Sequence, residues 1–412
     1  MVLNRPFPPD SRVERQASTL AEAGFEVHLL CEARPGELEL EAYYQQFYLH
    51  RVNPEDVTFS LFNLKTRFPY QGVCKNLVHS LWNVDTAWHT LIDRFVSCFG
   101  LDALHVHDLP LVHTAVNVAE KHHIPLVVDL PENYPALMEM LYPDPIKAQE
   151  QRKKWDNIEQ LAAWEADAVI TSIDEARDRL MKKGIAPNKI SVIPNLLDTD
   201  HYLNQPWDPS VIKRYKATFL LTYVGHLNGP HRGIYMVLEA MARLQEEIPE
   251  LYFVGAGALS PRYRDQLQAH AERLGVAHQV EWTDWLDEPT MISTIQAADI
   301  CLCPHVANDY TQTTFPSKVL LYHLFQKPVI ASDCRPLARY LQDSGGGLTF
   351  QSGDAHALTR QILSLYQNNA LRRQLGEAGK KAVLSRYQWT QTAPALIHLY
   401  DQLLRRQTLA PV

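Results

Sequence analysis

A chain of 412 residues is longer than one ordinary hydrophobic core supports, so two domains of about 200 residues each are expected. Its 46% hydrophobic and 21% charged residues exclude the disordered and fibrous classes. A formal charge of -8 leaves no basic surplus for displacing counterions from nucleic acid, which excludes a general nucleic-acid binder but not a local basic pocket.

Met1-Val2-Leu3-Asn4 reads as the end of a strand whose beginning is absent, or as an unusually short first strand. A helix carrying Val13, Ala17 and Leu20 at helical spacing follows, closed by Gly24, and residues 25–31 and 47–52 read as strands. From there to Gly100 the chain is rich in aromatic residues (Phe59, Phe62, Phe68, Tyr70, Trp82, Trp88, Phe95), with Lys65, Arg67 and Lys75 interspersed. This stretch is expected to be helices and loops, serving ordinary packing, an acceptor-binding lid or a surface that touches membrane. Strands LDALHVH, IPLVVDL, ADAVITS and KISVIP then alternate with helices. After a less regular piece at 198–209, a second alternation runs through TFLLTYVG, ELYFVGAG, HQVEWTDW, ADICLCP, VIA and GGGLTF, and ends in a C-terminal helix. Mostly apolar strands alternating with helices predict an α/β fold of two doubly wound parallel sheets, with ligands at the carboxyl ends of the strands.

The six cysteines (Cys31, Cys74, Cys98, Cys301, Cys303, Cys334) contain no CxxC pair, which suits reduced thiols in a cytoplasmic compartment. Cys301 and Cys303 share one face of a predicted strand and read as a metal pair or as two small core residues. No run of 18 apolar residues predicts a membrane span, and the N-terminus lacks a signal peptide's pattern.

Residues 313–334 are the most informative stretch. Thr313 or Thr314 is expected to cap a helix that begins near Pro316, with Ser317 and Lys318 in its first turn and an apolar run from Val319 to Phe325 behind. Pro328 ends it before a buried strand. Such a helix start is either a seat for phosphate or simply a capped core helix. Gly225, His226 and Arg232 lie on the turn after the second alternation's first strand, and with Thr313, Thr314, Ser317 and Lys318 they predict one anion site. Arg232 also reads as a solvated helix-start residue. In the first half, His107 and Glu132 fall at strand ends, where each is either a group for catalysis or a structural residue. Two decoys are set aside: Gly255-Ala256-Gly257 lacks a third glycine, and Asp198-Thr199-Asp200 reads as a turn, so no metal site is expected.

With these residues in view, the chain resembles the family-four retaining glycosyltransferases of the GT-B fold over nearly its whole length. The matching stretches include PPDSRVERQASTLAEAGFEVHLLC, DALHVHDLP, KISVIPNLLD, TYVGHLNGPHRGI, PSKVLLYHLFQKPVIASD and SRYQW. The resemblance implies two Rossmann-like domains facing each other across a cleft: residues 1–205 on the acceptor side, 206–389 on the nucleotide-sugar side, and a helix from 390 to 412 crossing back. It implies metal-independent transfer with retention, and no cofactor beyond the nucleotide diphosphate sugar as co-substrate. Arg232 then matches a diphosphate-binding residue, His226 stands where an arginine is common, and His107 matches a histidine near the transferred sugar. Two glutamates common in the family are replaced, by Thr313 and by Leu321 at the ribose-binding position. Gln326 stands for a usual glycine, and Pro131 for a histidine before Glu132. The expected function is transfer of a sugar to a glycan, lipid-linked or small acceptor, with peripheral contact to the cytoplasmic membrane left open. The alternatives are a catalytically weak or inactive binding relative and a sugar-nucleotide epimerase.

Overall fold

Short apolar strands alternate with helices throughout the computed structural model, which describes residues 1–56 and 85–409. The chain divides into two units, Met1–Pro194 with Thr392–Val412, and Asn195–Gln391. The division falls at 194/195, where the sequence places it at 205/206. Leu197 accepts a hydrogen bond from the Trp389 amide at 2.8 Å, and Thr199 Oγ1 donates to Gln388 Oε1 at 3.0 Å. These contacts tie the start of the second unit to its end. The reading of aromatic residues between 57 and 84 lies outside the described residues. Beyond them, Trp88 and Phe95 are buried in the helix Thr86–Phe99.

The first unit is built on an eight-stranded sheet in the order β3-β4-β2-β1-β5-β6-β7-β8. Its strands are β1 Val2–Pro6, β2 Val27–Glu32, β3 Leu40–Tyr44, β4 Phe47–Val52, β5 Leu104–His107, β6 Leu126–Leu130, β7 Ala168–Thr171 and β8 Ile190–Val192. All pairs are parallel except β3 with β4, a hairpin the sequence reading lacks. The strands are apolar because helices cover the sheet. β5, β6 and β7 are buried at every position, and Val106, Val128 and Val169 pack with Ile92, Val112 and Leu180 from the covering helices.

The second unit carries six parallel strands in the order β11-β10-β9-β12-β13-β14. They are β9 Phe219–Val224, β10 Leu251–Ala256, β11 Val280–Trp282, β12 Ile300–Cys303, β13 Val329–Ser332 and β14 Gly347–Phe350. Counted within the unit this is the doubly wound order 3-2-1-4-5-6. The chain reverses direction across the sheet between β9 and β12, so crossover helices diverge there and leave a crevice at the strands' carboxyl ends. Cys301 and Cys303 are fully buried in the core beside Val319, Tyr322 and Ala331. Among the described residues no helix is long and apolar enough to cross a membrane.

Candidate functional site

The reversal point of the second sheet brings together three separated pieces of chain. After β9 comes the turn Gly225–Arg232, after β12 comes His305, and Lys318 opens the short helix Lys318–Leu324. The Val306 amide donates to the His231 carbonyl at 2.9 Å and so fastens the first piece to the second. Tyr223, on β9, is the hub. Its hydroxyl donates to the His226 carbonyl at 3.1 Å, and the Lys318 ammonium sits 3.7 Å from its ring centroid. Gly225 makes that approach possible: it has φ +120°, and a Cβ there would lie 2.7 Å from Lys318 Nζ. Gly257, at the end of β10, backs the same turn, for a Cβ there would lie 2.3 Å from the Gly225 carbonyl oxygen.

The charges at this place are unbalanced. Among the described residues no carboxylate pairs with Arg232 or Lys318. The groups that shift His226, His231, His305 and Lys318 are each other, Arg232 and the Cys303 thiol. Burial and then Arg232 hold the pKa of Lys318 down to about 7. Burial, Arg232 and Lys318 bring His231 to about 4 and lower His226, and the same causes put His305 well below the usual imidazole value. A cluster of basic groups that suppress one another's charge is stabilised by an anion placed among them.

The predicted residues separate into two sets. Gly225, His226, Arg232 and Lys318 surround this place, but the threonines do not cap the helix. Thr313 Oγ1 donates to the Asp309 carbonyl at 2.6 Å and Thr314 Oγ1 to the Tyr310 carbonyl at 2.8 Å. Both hydroxyls turn back to the preceding loop because the helix starts only at Lys318. Ser317 occupies the cap position, with no side-chain cap bond. Leu321 is buried in the core. Asp198 caps the helix Thr199–Leu203 by accepting from the His201 amide at 3.1 Å.

In the first unit, His107 is fully buried at the end of β5, with Nδ1 3.3 Å from Asp129 Oδ2. Asp129 also pairs with the buried Arg12 guanidinium and accepts from Gln16 Nε2 at 2.9 Å. Arg12 lies 3.3 Å from Asp108, which pairs in turn with Arg5 at 2.6 Å. His105 Nδ1 meets the Tyr400 hydroxyl at 2.7 Å, so the last helix, Trp389–Leu409, is pinned within this unit. His105, His107 and Asp129 hold ligating atoms within 4.8 Å of one another. A cation bound to them would face the Arg12 guanidinium, which already occupies the carboxylate. Glu132 is exposed after β6, and the cap of the next helix is Asn133, whose Oδ1 accepts from the Ala136 amide at 3.3 Å.

His305 is the residue missed in the sequence. It is buried just after β12, and its Nε2 has no partner among the described residues. The signal was its place after the apolar run ADICLCP, which matters only once strand order puts β12 beside β9.

Comparison with known proteins agrees with this architecture. Residues 9–196 match the family described as glycosyl transferase 4-like domain, and residues 207–382 match glycosyl transferases group 1. The phosphatidyl-myo-inositol mannosyltransferase of Mycobacterium leprae is 24% identical over 211 residues, 51% of this chain and 52% of that protein, so the match spans about half of each. Sucrose-phosphate synthase from Thermosynechococcus elongatus superposes with a TM-score of 0.75 at 16% identity, covering 96% of this chain and 93% of that one. Anabaena HepE in complex with UDP-glucose gives 0.71 at 14% identity, covering 97% and 98%. The chain belongs to the glycosyltransferase superfamily of the GT-B fold and is related to its family-four-like members.

Proposed function

We propose that the protein transfers a sugar from a nucleotide diphosphate sugar to a glycan, lipid-linked or small acceptor, with retention and without a metal. The observation that carries this reading is the pair of cations Arg232 and Lys318 beside Tyr223, with no carboxylate partner among the described residues. Fixed cations at a departing diphosphate stabilise charge that grows as the sugar bond breaks, and this is usually the largest catalytic contribution. They supply the neutralisation that a divalent ion supplies elsewhere. The HepE structure with UDP-glucose supports a nucleoside diphosphate as the occupant by likeness of fold. By resemblance, the leaving diphosphate also helps accept the acceptor's proton, and His107 and Glu132 stand on the sugar side.

A second reading, a catalytically weak or inactive relative acting as a binding or regulatory partner, is favoured by two observations. Buried Leu321 offers no acceptor for ribose hydroxyls, and the Thr313 hydroxyl is turned into the loop. Nucleotide release from uridine, guanosine and adenosine diphosphate sugars separates the readings. Release that needs an acceptor supports transfer, interconversion of the donor alone supports an epimerase, and binding of none of them by the folded protein supports the second reading. Arg232→Ala should weaken diphosphate binding about 10- to 100-fold with little change in melting temperature. Unaltered affinity would remove Arg232 from the site.

A further inference from the structure

Buried histidines of this fold satisfy their ring nitrogens to different degrees. His323, fully buried, places Nδ1 2.6 Å from the Tyr340 hydroxyl and Nε2 3.0 Å from the Gly346 carbonyl. His305 differs. It is only 4% exposed, yet its Nε2 has no hydrogen-bond partner among the described residues, an arrangement that costs free energy unless something occupies the position. Its backbone is held in place: the carbonyl accepts from Ser352 Oγ at 3.5 Å and from Cys334 Sγ at 3.7 Å, and the next amide bonds to His231. Its ring lies 6.5 Å from that of Tyr223, the ring that carries the Lys318 ammonium.

We infer that His305 is a further ligand-binding residue of the diphosphate site, donating from Nε2 to an anionic oxygen and taking up a proton from solvent as that ligand binds. This rests on the reading of the site as a diphosphate pocket. The charged and titratable groups around His305 are Lys318 from its helix, Arg232 and His231 from the β9 turn, Tyr223 from β9 and the thiol of Cys334. No carboxylate figures among the groups that act on it. In the ligand-free protein the two cations and burial keep the imidazole neutral. A doubly charged diphosphate reverses the field, because an opposite charge within a few ångströms favours the imidazolium. The neutral ring becomes a charge-assisted donor only when the anion is present. Lys318, with a pKa near 7, also gains a proton on binding at pH 8 but is mostly charged already at pH 6. At pH 6 the ligand's terminal phosphate, with a second pKa of about 6, also exchanges a proton, so the difference in uptake between wild type and a histidine variant is what reports that histidine.

Calorimetric titration with uridine diphosphate and with inorganic pyrophosphate, at pH 6 in two buffers of different ionisation enthalpy, measures that uptake. Wild-type protein should take up about one proton more per diphosphate than His305→Asn. His305→Asn should also bind about tenfold more weakly. At pH 8 both proteins should show the uptake that belongs to Lys318. His305→Gln and nitrogen-15 histidine spectra of the wild type form a second arm that does not depend on the folding of His305→Asn. One buried imidazole should turn into an imidazolium when uridine diphosphate is added at pH 6. Unchanged uptake and affinity in the His305 variants, with binding lost in Arg232→Ala, overturns the inference and leaves the site standing. Loss of uptake in His231→Asn but not in His305→Asn gives the role to His231 and also overturns it. Failure of the wild type to bind pyrophosphate or any nucleoside diphosphate removes the reading of the site itself.

Discussion

Each unit concentrates basic groups at the carboxyl ends of its strands, but the two concentrations differ in balance. In the first unit Arg5 and Arg12 meet Asp10, Asp108 and Asp129, and two histidines lie beside Asp129, so that each buried charge faces an opposite one. In the second, Arg232 and Lys318 meet no carboxylate among the described residues, and the histidines around them are held neutral. A balanced network holds the fold, whereas an unbalanced one weakens it and waits for a ligand. Perturbing the first should therefore change stability, and perturbing the second should change binding.

The largest expected effect is on the balanced side. Asp129→Ala leaves buried Arg12 without its main partner and should destabilise the first unit by about 3–5 kcal/mol. By the usual conversion, thermal unfolding should fall by about 10 °C. A loss below 1 °C would show that the network is not structural. Next is Gly225→Val, which puts a side chain where Lys318 Nζ lies and should weaken pyrophosphate binding about tenfold or more, as read by calorimetry. Full affinity in this variant would place the anion elsewhere.

Lys318→Met should separate stability from binding. The folded pKa of about 7 lies below the ordinary lysine value of 10.5, so the unfolded chain binds more protons between these values. The folded state is penalised fully below pH 7, and the penalty shrinks as pH rises toward 10.5. The variant should melt a few degrees above wild type at pH 6, with the gap closing by pH 10, and should bind diphosphate less tightly at pH 6. A variant that melts lower at pH 6 would mean that the cation–π contact with Tyr223 outweighs burial. The smallest effect is expected for Tyr400→Phe, which removes the His105 hydrogen bond. It should cost about 1 kcal/mol in denaturant unfolding.

Much of the fold was legible because parallel strands covered on both faces are plain apolar runs, such as LVVDL and FLLTYV. β3 was not, since Leu40–Tyr44 alternates exposed and half-buried positions at a sheet edge and carries Glu41. Arg232 and Lys318 were legible from charge beside glycine and a helix start. The Thr313 and Thr314 contacts were not, because they depend on where the helix begins. The burial of His107 also escaped, for it is set by Asp129 and Arg12, distant in sequence and adjacent only in the sheet. His305 escaped for the same reason, since strand order cannot be read from a string of strands.

The most direct test is to locate the phosphorus atoms of bound uridine diphosphate in a crystal of the protein. The diphosphate should lie between the Arg232 guanidinium and the Lys318 ammonium, over the Gly225 turn, with an oxygen within hydrogen-bond reach of His305 Nε2. A nucleotide found away from Arg232 and Lys318 would contradict the central claim.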